Sequence, residues 1–457
     1  MSELRIISRH ASTVLVGQLA VMAFGVTDTI VAGRYSEQAL AALSVGSAVY
    51  MTVFVALIGV LQALLPTWAE LHGAQKHHEL GRSVRQALYI ALAGMIVGAV
   101  ALLFPGTLLR STEVPPALQE DVLRYLGVLI FALPAALLFR MYSTLNQSLG
   151  HPRLVTWLQA FSLAVKIPLS IWFVFGGFGV PALGVVGCAW ATVLVNWLMV
   201  VLAMWMLRTQ ELYKPYQIWR ALEAPHWPTI AEFARLGVPG GVSVLVEVTS
   251  FTLMALFIAR QGATSAAAHQ ICGNLAAVMY MVPLSIAIAT SARVSFWLGS
   301  GDPRKARGAA RTGFKVAMSM AVMMCALLFV GRSWIASVYS PSSEVVGIAT
   351  GLLAWLVVFH IGDATQAMCV FVLRCYRVTV APLIAYCVFL WGVGLAGGYA
   401  LAYVGVGPIA AERSPAAFWQ AASIALVLLG PILAAILWRA ARRYPASPSI
   451  GHATPAT

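Results

Sequence analysis

Three acidic residues lie inside long apolar stretches of the sequence, where a carboxylate is costly. Asp28 lies late in the first stretch, Glu247 near the middle of the seventh and Asp363 near the middle of the tenth. An acidic side chain at the centre of a bilayer costs about 2.5–3.5 kcal/mol on insertion scales, and such residues mostly mark ion or substrate pathways. We therefore take all three as candidate cation-coupling residues, with a satisfied interior polar group as the structural alternative for each.

The chemistry of a membrane-embedded carboxyl suits coupling. Burial raises the pKa of a carboxyl by up to about 3–5 units, and a neighbouring cation lowers it again. Such a group can hold a proton in one conformation and release it in another. It can equally ligate Na⁺ together with hydroxyl and carbonyl oxygens, or attract a cationic substrate. The residue types leave these three roles open.

Three basic residues also lie inside apolar stretches. Lys166 follows Arg153 by thirteen residues, roughly 20 Å along a helix at 1.5 Å per residue. We expect it to pair with Asp28 or to line a wet cavity. Arg140 and Arg293 lie nearer the ends of their stretches, and we expect both to extend their charged ends to the membrane surface.

The composition requires lipid as the solvent of most of the chain. Of the 457 residues, 60% are hydrophobic and 10% are charged, whereas soluble domains carry roughly 25% charged residues. A membrane-spanning helix needs about 20 mostly apolar residues, and twelve such runs occur, the first near 12–33 and the last near 416–438. The run near 40–71 exceeds this minimum and should tilt or protrude. The six cysteines form neither a disulfide framework nor a zinc pattern.

The basic residues between the runs orient the chain. With the N-terminus inside, twenty Lys and Arg residues fall in inner segments and six in outer segments. The outer six are Arg34, Arg110, Arg124, Arg260, Arg332 and Arg413. This bias places both termini in the cytoplasm of a multi-pass protein of the bacterial inner membrane. Basic loops facing anionic lipid account for the net charge of +13, so no nucleic acid is needed to explain it.

A polar stretch over residues 208–235 divides the runs six and six. We therefore predict an N-terminal lobe over 1–218 and a C-terminal lobe over 219–457. At a constant separation of 226 positions Arg34 matches Arg260 and Gly73 matches Gly299. The expected fold is an all-α membrane protein of twelve helices in two six-helix bundles, related by a pseudo-two-fold axis along the membrane normal.

Several short motifs, in this order, resemble one known family. They include Gly25-Val26-Thr27-Asp28-Thr29, Leu236-Gly237-Val238-Pro239 upstream of Glu247, and Ala266-Ala267-Ala268-His269-Gln270. The chain resembles the multidrug and toxic compound extrusion (MATE) family, closest to its NorM-like branch, over essentially its whole length. The resemblance implies a two-lobed exporter that uses an H⁺ and/or Na⁺ gradient, with no other cofactor, to expel cationic amphipathic drugs.

The resemblance also implies roles for particular residues. Glu247 and Asp363 would form the cation site of the C-terminal lobe and are candidate Na⁺ ligands, while Asp28 would serve proton or substrate binding in the N-terminal lobe. The substrate-binding candidates are Asp28, Lys166, Tyr280, Gln270 and Asp363. Two positions depart from the family. Lys166-Ile167-Pro168-Leu169-Ser170 stands where relatives often have Asn-x-Pro-Leu-Asn, and Phe359 stands where some carry Tyr.

Other functions of membrane proteins fit the sequence less well. A lipid-linked oligosaccharide flippase of the same superfamily would line its cavity with several Arg or Lys, and Lys166 alone lies deep. A channel would need filter loops or rings of charge. An enzyme would need a metal or nucleophile constellation. We expect a monomeric transporter whose partners are small cationic drugs and membrane lipid.

Overall fold

The computed structural model describes residues 2–104, 116–177, 179–405, 407–408 and 410–444. Within them, twelve helices are long and apolar enough to cross a membrane, as predicted. They are α1 (Glu3–Tyr35), α2 (Glu37–Gly73), α3 (His77–Leu103), α4 (Pro116–Ser148), α5 (Pro152–Phe175), α6 (Val185–Thr209), α7 (Trp227–Ala259), α8 (Ala263–Gly299), α9 (Pro303–Tyr339), α10 (Ser343–Cys375), α11 (Val380–Val404) and α12 (Pro415–Arg443). Arg110, predicted in an outer loop, lies outside the described residues.

Capping residues at several junctions start the helices. The hydroxyl of Ser36 accepts from Ala39 N at 3.0 Å and starts α2, and Asp302 accepts from Lys305 N at 2.9 Å and starts α9. Each bond satisfies a backbone N–H that has no partner within its helix. Successive helices run antiparallel, so Glu3 and Arg443 lie at the same end of the molecule. We call that end the terminal face and the other the opposite face.

Two of the helices are irregular. α2 is interrupted after Gln62, and its second segment (Leu65–Gly73) carries Pro66 in its first turn. Proline has no N–H to continue the ladder, so the long run near 40–71 folds as two segments. α11 contains the π-helical stretches Cys387–Ala396 and Ala400–Val404.

The helices form two bundles of six, and the contacts between the bundles are symmetric. α2 packs against α7, and α8 packs against α1. Because α1 corresponds to α7 and α2 to α8, the pseudo-two-fold axis relates one contact to the other. At the terminal face α2 crosses α8, where a Cβ on Gly73 would overlap the backbone of Phe296 and a Cβ on Gly299 would overlap that of Glu70. The two glycines that matched in the sequence therefore meet at one crossing, which is the expected pseudo-two-fold arrangement.

Ion pairs join the bundles at the terminal face. Arg377, after α10, lies 2.9 Å from Oε2 of Glu70 in α2. Arg293 of α8 lies 2.6 Å from Oε1 of Glu3 in α1, and the indole of Trp297 donates to the same oxygen at 2.9 Å. Arg293 keeps its charged end at the terminal face, and its reach to the membrane surface stays a prediction. Arg293 also holds α1 against the other bundle.

The segment between α6 and α7 docks on α3. Glu223 lies 2.6 Å from Arg85 and 2.9 Å from Arg82, and Tyr89 donates to the carbonyl of Glu223 at 2.8 Å. The hydrogen bond from Arg85, together with the charges of both arginines, holds the pKa of Glu223 below its usual range. The polar stretch that divides the halves is thus a fixed connector. The lobe boundary at 218/219 stays a prediction.

Candidate functional site

Glu247 of α7 and Asp363 of α10 lie together inside the C-terminal bundle. Gln366, one turn after Asp363, joins them, because its Nε2 donates to Asp363 Oδ1 at 2.9 Å and lies 3.4 Å from Glu247 Oε1. Tyr386 of α11 donates its hydroxyl to Gln366 Oε1. Since Tyr386 holds the amide oxygen, the amide nitrogen of Gln366 must face the acids. Both carboxylates therefore act as acceptors in this arrangement.

The acid pair opens onto a small apolar cavity of about 30 Å³. Its lining includes Phe251 and Met254 from α7, Phe359 from α10 and Leu390 from α11. The ring of Phe359 lies edge-on to Phe251, with 5.8 Å between the ring centroids. An apolar cavity with a few convergent polar groups is the usual form of a small-molecule site.

Two further side chains lie near the acid pair. Tyr280 of α8 is close enough for the charges of Glu247 and Asp363 to act on it. Arg374 of α10 is 5% exposed and lies over the ring of Phe371, 4.7 Å from its centroid. Among the described residues Arg374 forms no ion pair within 4.0 Å, but it is close enough for its charge to act on Glu247.

The N-terminal bundle holds a different arrangement. Asp28 of α1 and Lys166 of α5 form a buried ion pair, with 2.8 Å between Lys166 Nζ and Asp28 Oδ1. Ser170 donates to the same oxygen at 3.1 Å, and Lys166 donates to Thr192 Oγ1 at 2.6 Å. Lys166 therefore pairs with Asp28, the first of the two alternatives that its depth suggested. The charge of Asp28 is offset within the bundle.

The structure separates the sequence-predicted site residues into groups. Glu247, Asp363 and Tyr280 cluster in one bundle, and Asp28 and Lys166 pair in the other. Gln270 is exposed on α8, where its amide donates to Asn274 one turn on at 2.9 Å, and it does not line the cavity beside the acids. Its predicted part in substrate binding stays a prediction.

Two contacts of the acid pair were not predicted from the sequence. Gln366 follows Asp363 by three residues, so it lies on the same helical face, and this spacing was the available signal. Tyr386 belongs to α11, and nothing in its neighbourhood in the sequence links it to α10. The described part of the chain holds no group of three or more His, Cys, Asp or Glu side chains able to bind a metal ion. A Na⁺ ion at the acid pair would therefore need hydroxyl or carbonyl oxygens as well.

The sequence matches the family model described as MatE over residues 14–172 and 239–400. The chain belongs to the MATE family. One matched segment lies in each bundle of this MATE-family chain. Together with bacterial relatives, its twelve spanning helices make it a multi-pass inner-membrane protein.

Curated relatives of the MATE-family chain include two bacterial proteins named for drug resistance. The "Probable multidrug resistance protein NorM" of Aromatoleum aromaticum is 37% identical over 438 residues, which cover 95% of this chain and 94% of the relative. The "Multidrug resistance protein PmpM" of Pseudomonas aeruginosa is 32% identical over 444 residues, covering 97% and 93%. These names do not favour the flippase alternative.

Solved MATE structures share the fold. The eukaryotic MATE transporter AtDTX14 superposes with a TM-score of 0.85 at 19% identity, covering 96% of this chain and 98% of that one. The Vibrio cholerae transporter VcmN in its bent form gives 0.84 at 17% identity, covering 96% and 97%. The expected fold, two six-helix bundles with pseudo-two-fold symmetry, is confirmed.

Proposed function

We propose that the chain is a secondary active multidrug exporter, which exchanges cationic amphipathic compounds for H⁺ and/or Na⁺ by alternating access. The observation that carries this proposal is the acid pair at the edge of an apolar cavity. Glu247 and Asp363 attract a cation, while Phe251, Met254 and Phe359 accept the apolar part of a substrate. The names of the relatives as multidrug resistance proteins support the same substrate class.

Competition between the drug and the coupling ion for the acid pair accounts for the exchange. Two nearby carboxylates repel each other, and a bound cation relieves the repulsion. A drug cation, a proton or Na⁺ can each do this, so occupancy by one disfavours the others. An ion entering from outside then displaces the drug. The ion must bind the two conformations with different affinity, because otherwise it shifts no equilibrium.

The contacts between the bundles indicate which conformation this is. The ion pairs Glu70–Arg377 and Glu3–Arg293 close the terminal face. If both termini lie in the cytoplasm, as the charge pattern predicts, this state is closed to the cytoplasm. Inward opening requires both ion pairs to break. After a substrate enters, the two ion pairs would form again and close the cytoplasmic side.

Efflux from proteoliposomes tests the proposal. We expect a proton or Na⁺ gradient to drive efflux of a fluorescent monocation by the wild type. Glu247→Gln and Asp363→Asn should each slow it at least tenfold, because each removes a charge that the exchange uses. Glu120→Gln, at an exposed pair with Arg124, is the matched control. Unchanged gradient-driven efflux in both site variants would exclude this account of coupling.

A further inference from the structure

His269 is a buried polar residue that the proposed function does not use. It belongs to one of the motifs singled out in the sequence and lies within the first two turns of α8, near the opposite face. Its Nδ1 accepts a hydrogen bond from the indole N–H of Trp419 in α12, with 3.2 Å between the two nitrogens. An indole nitrogen can only donate, so this ring nitrogen of His269 carries a lone pair. The bond therefore fixes the orientation of the Trp419 ring.

Trp419 is part of a closed triangle of aromatic rings. Its side chain is fully buried and lies edge-on to Phe359 and to Phe251, with 5.5 Å and 5.9 Å between the ring centroids. The rings of Phe251 and Phe359 are in turn edge-on to each other. Edge-to-face geometry is one that aromatic pairs favour. We call these three rings the aromatic cluster.

The aromatic cluster lies one helical turn from the acid pair, on the side of the opposite face. Phe251 follows Glu247 by four residues in α7, and Phe359 precedes Asp363 by four residues in α10. Residues four apart lie on the same face of a helix. Because α7 and α10 run in opposite directions, both steps lead toward the opposite face. The two phenylalanine rings therefore cover this end of the cavity beside the acid pair, whose wall they help to form.

The bundle stays apolar beyond the aromatic cluster. Nearer the opposite face, α10 contributes Leu352, Leu353 and Leu356, and all three side chains are buried. Apolar constrictions exclude water and ions. An ion therefore meets a barrier if it approaches the acid pair through this end of the bundle.

The barrier belongs to one bundle. The rings and His269 come from α7, α8, α10 and α12, so their contacts persist when the two bundles move as rigid bodies. The ion pair Glu70–Arg377, by contrast, joins different bundles and breaks when the terminal face opens. Alternating access requires that a central site is reached from one side at a time. A barrier inside one bundle stays closed in both states and leaves the cleft between the bundles as the route of the ion.

We propose that His269 is a positioning residue, which holds the aromatic cluster closed over the acid pair. A coupling ion then reaches Glu247 and Asp363 only from the cleft between the bundles. The inference rests on the proposed function and deepens it, because it names the route of the ion.

Loss of the bond from Trp419 to His269 should open this barrier. The indole N–H would be buried without a partner, which is costly, so the ring would turn toward water or another acceptor. Phe251 and Phe359 would lose their edge contacts, and ions would enter from the opposite face. Whenever the terminal face opens, the acid pair would be accessible from both sides. Ions would then cross the membrane without a drug.

Drug-free ion flux into proteoliposomes tests the inference. Dyes inside the vesicles report H⁺ and Na⁺ entry under the gradient that drives efflux. His269→Leu should raise the drug-free flux roughly tenfold over that of the wild type, because a buried donor without a partner disfavours the closed arrangement. Glu120→Gln, at an exposed pair with Arg124, is the control and should match the wild type.

Two amide variants test which nitrogen of His269 matters. The side-chain oxygen of asparagine lies as many bonds from the backbone as Nδ1, and that of glutamine as many as Nε2. His269→Asn should therefore keep the drug-free flux within about twofold of the wild type, since it retains an acceptor for the indole N–H. His269→Gln should leak like His269→Leu. Equal flux in the two amide variants would overturn the inference.

Combined variants locate the leak. Glu247→Gln and Asp363→Asn, added to His269→Leu, should return the flux to the wild-type level, because the leaking ion passes through the acid pair. Flux that persists would mean a nonspecific opening and would overturn the inference. Trp419→Phe removes the donor and should also leak. Its combination with His269→Leu should leak no more than the leakier single variant, since both break the same bond.

Unfolding temperatures in detergent separate a barrier from a merely structural role. A lower unfolding temperature of His269→Leu with drug-free flux at the wild-type level would mean that His269 only stabilises the fold, and would overturn the inference. If His269→Leu does not fold, His269→Gln and Trp419→Phe provide the same test. Gradient-driven efflux by the wild type reports on the proposed function alone, so its absence would count against drug export rather than against the barrier.

Discussion

At the scale of single residues, the ion pair with Lys166 determines whether the Asp28 carboxylate is free to bind a coupling ion. Asp28 bonds to Lys166 Nζ and to the hydroxyl of Ser170, so its carboxylate is satisfied without a proton or Na⁺ in this conformation. A coupling ion could act there only by displacing the ammonium group. We therefore propose that Glu247 and Asp363 carry the coupling and that the Asp28–Lys166 pair is a structural link between α1 and α5.

A double-mutant cycle tests that link. Lys166→Met leaves Asp28 buried and unpaired, which should destabilise the protein by about 3–5 kcal/mol. Asp28→Asn combined with Lys166→Met removes both charges and should recover much of that loss. Thermal unfolding in detergent measures each variant. If the double variant loses the sum of the two single losses, the residues are not coupled.

Charged residues were the part of the site that the sequence could predict. Asp28, Glu247, Asp363 and Lys166 stand out because a charge inside an apolar run is costly. Tyr386 does not stand out, because a tyrosine within a membrane span is common. That Arg140 forms no ion pair within 4.0 Å among the described residues was equally unpredictable, since a partner depends on which helices become neighbours.

At the scale of the helices, the crossing of α2 and α8 depends on glycine. A side chain at Gly73 would overlap the backbone of Phe296, which cannot move as a flexible side chain can. Gly347 of α10, by contrast, has open space around the position of a Cβ.

We expect Gly73→Ala to destabilise the protein by about 1–3 kcal/mol, the usual effect of forcing extra atoms into a packed contact. Gly347→Ala should be neutral or slightly stabilising, because alanine favours the helix. Unfolding temperatures of the two variants in detergent provide the comparison. Equal effects of the two substitutions would show that the crossing is not tightly packed.

The connector between the bundles gives a prediction about pH. The pKa of Glu223 is lowered in the folded protein, so its bonds to Arg82 and Arg85 contribute stability above the ordinary carboxyl pKa. That contribution is lost as the pH falls through the lowered value. Wild type should therefore be more stable than Glu223→Gln near neutral pH, and the difference should shrink in acid. A difference in unfolding temperature that grows in acid would contradict this.

Helix positions followed from the apolar runs, but irregularities within helices did not. The interruption of α2 after Gln62 and the π-helical stretches of α11 depend on which backbone hydrogen bonds the packed helices allow. An apolar run predicts a span of sufficient length and carries little information on its internal geometry. The sequence predicted that the long run near 40–71 should tilt or protrude. It did not predict that α2 folds as two segments.

At the scale of the whole molecule, the bonds between the bundles lie at one end. In the described ranges, every side-chain hydrogen bond that joins the two halves is made by Glu3, Thr67, Glu70 or the connector. Weakening this end should favour the state in which the terminal face is open.

Labelling of a cysteine at the interface tests this expectation. Ala63 is buried between α2 and α7, so Ala63→Cys, in a background with the exposed Cys387 changed to Ser, should react slowly with a maleimide. Glu70→Gln removes one closing ion pair and should raise the labelling rate roughly fivefold, the effect of about 1 kcal/mol. Glu79→Gln, at an exposed pair with Lys76, is the control. An unchanged rate would show that Glu70–Arg377 does not hold the face closed.

The central claim is that drug and coupling ion compete for Glu247 and Asp363. The coupling between two binding events is reciprocal. If the bound ion weakens drug binding, then drug binding must release the ion. Addition of a fluorescent monocation to purified protein in weakly buffered detergent should release H⁺, or Na⁺ when sodium is present. Release should be absent from the Glu247→Gln, Asp363→Asn double variant and retained in the control Glu120→Gln. Ion release that persists in the double variant would contradict the account.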